Sequence, residues 1–269
     1  MPIISSNVQL GTGDFPLNHA RILYENLANE SNTTVSSQEA GFPASALANP
    51  ATYEFWKPSA LPATVTVDLG SAFAIDCVGF AAHSFNFHPV NIDIEYSTDN
   101  STWNAVSAGT VVAGTAAPVM VLFDKVDARY WRARITGADA PQIGVFFLGK
   151  CLQMQRPFYG GHTPINYGRV TEYVGNMSEG GQILGTSIVR RGTQTSFAWQ
   201  HLKRDWVDAN LNPFIKSVRG GQPFFIAWNP LQHPQDVGYV FVGEDIRPSN
   251  MGIRNLMEVS FTAQGLSDE

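Results

Sequence analysis

The stretch from Thr64 to Phe85, TVTVDLGSAFAIDCVGFAAHSF, limits the fold more than any other part of the chain. Thr64, Thr66 and Asp68 alternate with Val65, Val67 and Leu69, the period of two that makes one strand face apolar and the other wet. Gly70 and Ser71 punctuate this run, which predicts that the strand ends at Asp68-Leu69-Gly70. From Ile75 to Ala82 the apolar residues are nearly continuous. That pattern predicts a second strand covered on both faces within a β-sandwich.

The grammar continues downstream. Val90, Ile92, Ile94 and Tyr96 alternate with Asn91, Asp93 and Glu95; Asp99 and Asn100 supply a turn, and Trp103 to Val106 opens the next strand. Pro118–Phe123, Arg129–Ile135 and Ile143–Leu152 read as three more. With 15% charged residues, 24 Gly and 16 Pro, the composition suits short strands joined by turns. A chain of 269 residues is long enough for one large domain or two ordinary ones.

The second half is written differently. Tyr173 to Val189 holds two strands separated by Gly180-Gly181, and Thr193 to His201 alternates again. LKRDWVDANLNPFIKSVRGG, residues 202–221, reads as a helix with Leu202, Trp206, Ala209 and Phe214 near one face, interrupted at Pro213 and ended by Gly220-Gly221. Strands follow at Pro223–Trp228, Gly238–Glu244 and Leu256–Gln264. Turn formers concentrate in 153–163, so the expected domains are 1–153, all β, and 154–269, a smaller α+β unit with strands around one helical segment.

Charge and cysteine usage narrow the partners. The net charge is −6, and all of it lies in residues 1–150, which carry 7 Lys and Arg against 13 Asp and Glu. Neither half offers a basic surface to a nucleic-acid backbone, so nucleic acid is not an expected partner. No apolar run reaches the roughly 18 residues that span a bilayer, so no membrane insertion is expected. The start, MPIISSNVQLGTGDF, lacks the basic and apolar regions of a secretory signal. Cys77 and Cys151 are expected to be two reduced thiols in strands.

The order of several elements carries a resemblance. Trp56, then Asp68-Leu69-Gly70, then Tyr96-Ser97-Thr98-Asp99 with Trp103, then Ala128-Arg129-Tyr130 resembles the discoidin, or factor V/VIII type C, group across about residues 15–153. The resemblance implies a galactose-binding-like jelly-roll sandwich, with Trp56 and Trp103 as core residues and a structural calcium in a loop near the N-terminal side. Calcium held through backbone carbonyls leaves almost no sequence trace, so its ligands stay unassigned. The bracketing cysteines of extracellular members are missing. Residues 165–267, with GGQPFFIAWNP, VFVGEDI and NLMEVSFTAQGL, more loosely resemble phage tail proteins that build rings at the distal end of tails. The segments PLNHARILYENL and AGFPASALANPATYEFW are similar to phage-encoded discoidin-like proteins.

No residue set marks catalysis. GxSxG, P-loop and HExxH patterns are missing, no spacing marks a glycosidase carboxylate pair, and no Cys/His spacing suggests zinc. An enzyme acting on polysaccharide would have to use Asp76, Asp93 or His83. Sugar binding asks for aromatic faces and a few planar polar groups, and the loop after the second strand offers both. The candidate carbohydrate-binding residues are His83, Phe85, Asn86, Phe87 and His88, with Tyr53 joining if its segment reaches the same end. In the competing reading Phe85 and Phe87 plug the sandwich, and the same loops hold a neighbouring protein chain.

Together these readings lead to a non-enzymatic virion protein of a phage tail tip or baseplate, made in the host cytoplasm. Its second domain would assemble it, as a homo-oligomeric ring with other tail proteins, and its first would face a host-surface glycan. The alternatives are a stand-alone bacterial carbohydrate-binding protein and a capsid decoration protein.

Overall fold

The alternating runs become strands, and the chain folds mainly as β-structure in two sheets with one helical segment. The structure is a computed structural model and describes residues 3, 4, 8, 10, 11, 13–252 and 254–265. Its first ten strands are β1 (Ile3–Ile4), β2 (Arg21–Leu23), β3 (Thr33–Val35), β4 (Ala63–His83), β5 (Val90–Ser97), β6 (Asn104–Ala105), β7 (Val111–Ala113), β8 (Val119–Gly137), β9 (Ile143–Gly149) and β10 (Leu152–Gln153). β11 (Arg169–Met177) and β12 (Ile183–Lys203) follow. A helix then runs from α1 (Arg204–Trp206) through a π-helical turn (Val207–Leu211) into α2 (Asn212–Ser217). β13 (Phe224–Ala227), β14 (Val237–Phe241), β15 (Ser249–Asn250) and β16 (Leu256–Gly265) complete the chain.

The first sheet has the order β3-β4-β8-β5-β6, with β1 on β8, β7 on β5 and β9 on β4. β4 and β8 pair along almost their whole length. The first half of β4 takes β3 as its other neighbour and the second half takes β9, so one strand serves both layers of a jelly-roll sandwich. A single core collects residues from both halves, including Val65, Val67, Phe80, Ile92, Trp131 and Phe146. Trp56 is fully buried there, as expected.

The expected break at Asp68-Leu69-Gly70 is a bulge and not a strand end. Asp68 pairs with Tyr130 and Phe73 with Ala128, so residues 69–72 lie opposite the single Arg129, and Gly70 takes a φ of 74°. Extra residues on one strand bend it without ending the ladder, and a left-handed φ suits glycine. Arg129 clamps the bulge with two hydrogen bonds to the Asp68 carboxylate, 2.7 and 2.8 Å. β8 likewise joins two predicted strands into one.

The second sheet runs β10-β2-β13-β14-β16-β12-β11, with β15 on β16. Ile143–Leu152 therefore divides: β9 stays in the first sheet and β10 enters the second. The helix buries Val207, Leu211, Phe214 and Val218, one stripe at helical spacing, while Ala209 is exposed. The inward face thus differs from the expected one, and Leu202 belongs to β12. The π-helical turn ends just before Pro213, whose missing N–H leaves a regular helix one bond short.

The two sheets share a core. Cys77 and Ala81 on β4, Met120 and Leu122 on β8, and Val145 and Phe147 on β9 pack against Leu23, Phe225, Ala227, Val237 and Tyr239 of the second sheet. This explains the continuous apolar run from Ile75 to Ala82: Val78 and Phe80 enter the sandwich core, while Cys77 and Ala81 enter the core between the sheets. Both cysteines are free and buried. β2 and β10 precede residue 154 yet pair within the second sheet, β2 directly with β13.

Candidate functional site

The loop leaving β4 is organised by Ser84. Its N–H donates to the Gln142 carbonyl (3.0 Å), its hydroxyl accepts the Gln142 N–H (2.9 Å), and its carbonyl accepts the N–H groups of Phe87 and His88 (3.0 and 2.9 Å). The turn is thereby tied to the segment entering β9. Phe85 points inward, fully buried, and meets Phe80 edge-on at 6.2 Å. It presents no face to a ligand; it plugs the sandwich. His83 stacks on it at 3.9 Å.

On the outer side of the same turn, Asn86 is exposed and Phe87 is 78% exposed. His88 is half-buried, and its Nδ1 is enclosed without a hydrogen-bond partner. Neither ring nitrogen of His83 has a well-formed hydrogen bond, and burial pushes its pKa down to about 4, so the ring is neutral at pH 7. Buried polar atoms without partners are uncommon in folded proteins, and His83 and His88, which flank this turn, share the condition here. The loop from Ser84 to Pro89 holds no Lys, Arg, Asp or Glu.

Tyr53 comes from a neighbouring segment. Trp56 and Ile143 exchange backbone hydrogen bonds of 2.9 Å, and the Trp56 indole donates to the Ser37 carbonyl. Asn49 closes the preceding turn by donating to Glu54 and accepting the Ala51 N–H. Both segments therefore leave the sandwich beside the start of β9. The Tyr53 ring, 72% exposed, nevertheless lines a different place: a groove of about 480 Å³ shared with Gly221, Pro223, Tyr239 and Phe241 of the second sheet. The Tyr239 hydroxyl donates to the Pro50 carbonyl across this groove. Among the described residues no ring contact joins Tyr53 to Phe87 or His88. Sequence reasoning missed the groove because no local pattern tells which turn of one sheet abuts a loop of the other.

The remaining candidates have other partners. Asp76 accepts the Cys151 N–H at 2.7 Å; Asp93 accepts the Thr110 hydroxyl and lies 3.6 Å from Arg134. With His83 on Phe85, the three groups an enzyme would have needed sit in three separate surroundings. Trp103 is only half-buried; it lies beneath the Arg132 guanidinium at 4.1 Å, a cation–π contact in place of the expected core position. Arg190 pairs with Glu172 and Arg204 with Asp208 within the chain.

The loop from Asn26 to Asn32 is closed by its own amides. Asn26 Oδ1 accepts the N–H groups of Ala28 and Leu148, Asn29 Oδ1 those of Ser31 and Asn32, and Asn32 Oδ1 that of Asn29. Among the described residues no three His, Cys, Asp or Glu side chains gather to hold a metal.

Residues 31–145 match the F5/8 type C domain. The match begins beyond β2 and ends inside β9, so both strands lent to the second sheet lie outside it. No curated protein matches the chain. Among solved structures, chitosan-binding module 1 from a chitosanase/glucanase of Paenibacillus sp. IK-5 is similar at 24% identity and a TM-score of 0.40, over 46% of this chain and 98% of the module. The CBM32 of AlyQ, solved with 4,5-unsaturated mannuronic acid, shows 22% identity and a TM-score of 0.40 over 47% of this chain and 96% of that one. A Ruminococcus gnavus GH29 fucosidase solved with fucose shows 17% identity and a TM-score of 0.41, covering 49% of this chain. The present chain spans 27% of that fucosidase.

Proposed function

We propose that this chain is a non-catalytic virion component of a phage tail tip, in which the F5/8 type C domain contacts a surface glycan and the second sheet joins the chain to its assembly. The observation that carries the glycan reading is the turn after β4. The Phe87 ring is 78% exposed, Asn86 next to it is exposed, and His88 is half-buried. An aromatic face takes the C–H face of a pyranose, and the Asn86 amide can exchange hydrogen bonds with its hydroxyls. Because the turn carries no charged side chain, the ligand class is an uncharged pyranose.

The assembly reading is supported by the rigid union of the two parts through a shared core. A display domain fixed in this way holds a defined direction relative to whatever the second sheet is bound to. The test has two parts. Purified phage tails should contain the chain by mass spectrometry, with antibody labelling at the tip; tails lacking it refute the virion setting. The full chain should bind a neutral glycan on a panel, and Phe87→Ala should weaken that binding about tenfold, which corresponds to about 1.4 kcal/mol. Unchanged binding by this variant refutes the site.

A further inference from the structure

β11 and β12 form a hairpin that leaves the body of the second sheet: every residue of β11, and those of β12 from Ile183 to Arg191, is exposed. The hairpin carries eight exposed large apolar side chains between Val170 and Val189, among them Tyr173 (66%), Met177 (65%), Ile183 (80%) and Leu184 (67%). Tyr173 pairs across the ladder with Ile188 and Met177 with Ile183, and the spacing of two along β11 puts both pairs on one face.

Each of the eight exposes roughly 100 Å², divided between the two faces of the hairpin. Its edges are unequal. On β12 the ladder breaks twice, at Val189 and Leu184, and bulges spoil an edge for pairing. β11 carries no bulge, no Pro and no Lys, and its ladder partner is β12 alone. An unguarded nine-residue edge is a template for another strand. Among the described residues the other open edge strands, β1, β3, β6, β7, β10 and β15, are two or three residues long. β9 is engaged on its far side by Trp56 and Leu27. The nine-residue edge of β11 is therefore matched in this chain by β11 itself.

We infer that two copies of the chain join through β11, paired antiparallel across a two-fold axis into a four-stranded sheet. With the axis at Tyr173, that residue faces its own counterpart, Glu172 faces Val174 of the second copy, and Arg169 faces Met177. No like charges meet, and the central pair is aromatic. This inference rests on the reading of the second sheet as the assembly element, and gives that element a partner and a symmetry. It does not depend on the glycan site.

The experiment is sedimentation of the full chain from 0.1 to 50 μM, beside Tyr173→Glu and Tyr173→Cys. The expected result is a dimer with a Kd of about 1 μM or below. Tyr173→Glu should weaken it at least 100-fold, with circular dichroism unchanged and melting little changed, because two-thirds of the side chain is open to solvent in the isolated fold. Tyr173→Cys should form an intermolecular disulfide under mild oxidation, while Glu179→Cys at the hairpin turn should not. A chain monomeric at 50 μM, an odd-numbered oligomer, or a dimer untouched by Tyr173→Glu overturns the inference. Loss of glycan binding by Phe87→Ala in a chain that still dimerises bears on the sugar site alone.

Discussion

Gly79 on β4 and Phe225 on β13 meet where the two sheets touch. A Cβ built on Gly79 would stand 2.7 Å from Cε2 and 2.8 Å from Cδ2 of the Phe225 ring, well inside van der Waals contact. The ring is fully buried and also meets Phe147 at 5.4 Å and Tyr239 at 4.7 Å, so it has little room to retreat. Gly79→Ala should therefore act as overpacking and cost about 1–3 kcal/mol. Phe225→Ala removes a buried ring and should cost about 3–5 kcal/mol. If the collision is the whole effect of the methyl group, it vanishes once the ring is gone. The double variant should then be no less stable than Phe225→Ala, leaving a coupling of about −1 to −3 kcal/mol in the cycle. Guanidinium unfolding followed by both circular dichroism and tryptophan fluorescence measures all four proteins. Trp56 and Trp131 report on the sandwich core and Trp199 on the second, and a shared interface predicts coincident transitions. Additive costs, or two separated transitions in the parent chain, would refute the argument that the sheets are one cooperative body.

Further outcomes follow from the same interface. Burial raises the Asp76 carboxyl from 3.8 to about 6, so the folded state keeps a proton that the unfolded state gives up. Its contribution to stability should be full below about pH 4, fall as pH rises through 6, and stay low above. Asp76→Asn can still accept the Cys151 N–H. It should flatten that fall and gain roughly 1–3 kcal/mol at pH 8 in melting curves, because burial outweighs the attraction of Lys150 and Arg21 for the carboxylate, and the Arg21 guanidinium keeps its hydrogen bonds to the Phe15 and His19 carbonyls. A variant less stable than the parent at pH 8 would count against this assignment. Tyr239→Phe removes the bond to Pro50 and should cost about 0.5–1.5 kcal/mol in chemical denaturation while leaving glycan binding unchanged. A change in glycan binding would place the ligand in the groove beside Tyr53 instead of on Phe87.

What the sequence made legible was set by periodicity. The alternation at Thr64–Leu69 and Val90–Tyr96 follows from one wet and one dry strand face, and the structure keeps both. The continuous run at Ile75–Ala82 announced burial on two sides but could not say by what; half of the covering comes from Phe225 and Tyr239, about 150 residues away. Gly70 looked like a stop because a turn and a bulge use the same residue types, and only the partner Arg129 distinguishes them. β2 was unreadable for a related reason: Arg21–Leu23 is too short to show a period, and its place is decided by β13. In the binding loop Phe85 and Phe87 are the same residue two positions apart, one sealing the core and one facing solvent. The Ser84 turn makes that choice, and composition is blind to it. The helix face shifted because a π-helical turn ahead of Pro213 offset the stripe.

The outer surface of β4, β8 and β9 has a consequence for how this chain can be cut, recombined or borrowed. A discoidin-like module is usually imagined as a cassette that travels between proteins on a flexible tether. Here Cys77, Ala81, Met120, Leu122, Val145 and Phe147 form an oily back to that module, hidden by a second sheet that itself borrows β2 from upstream. Lifting out residues 31–145 would bare most of this back to water and uncover Phe225 and Tyr239 of the second sheet. Grafting the sandwich elsewhere would first require repainting those six positions with polar side chains.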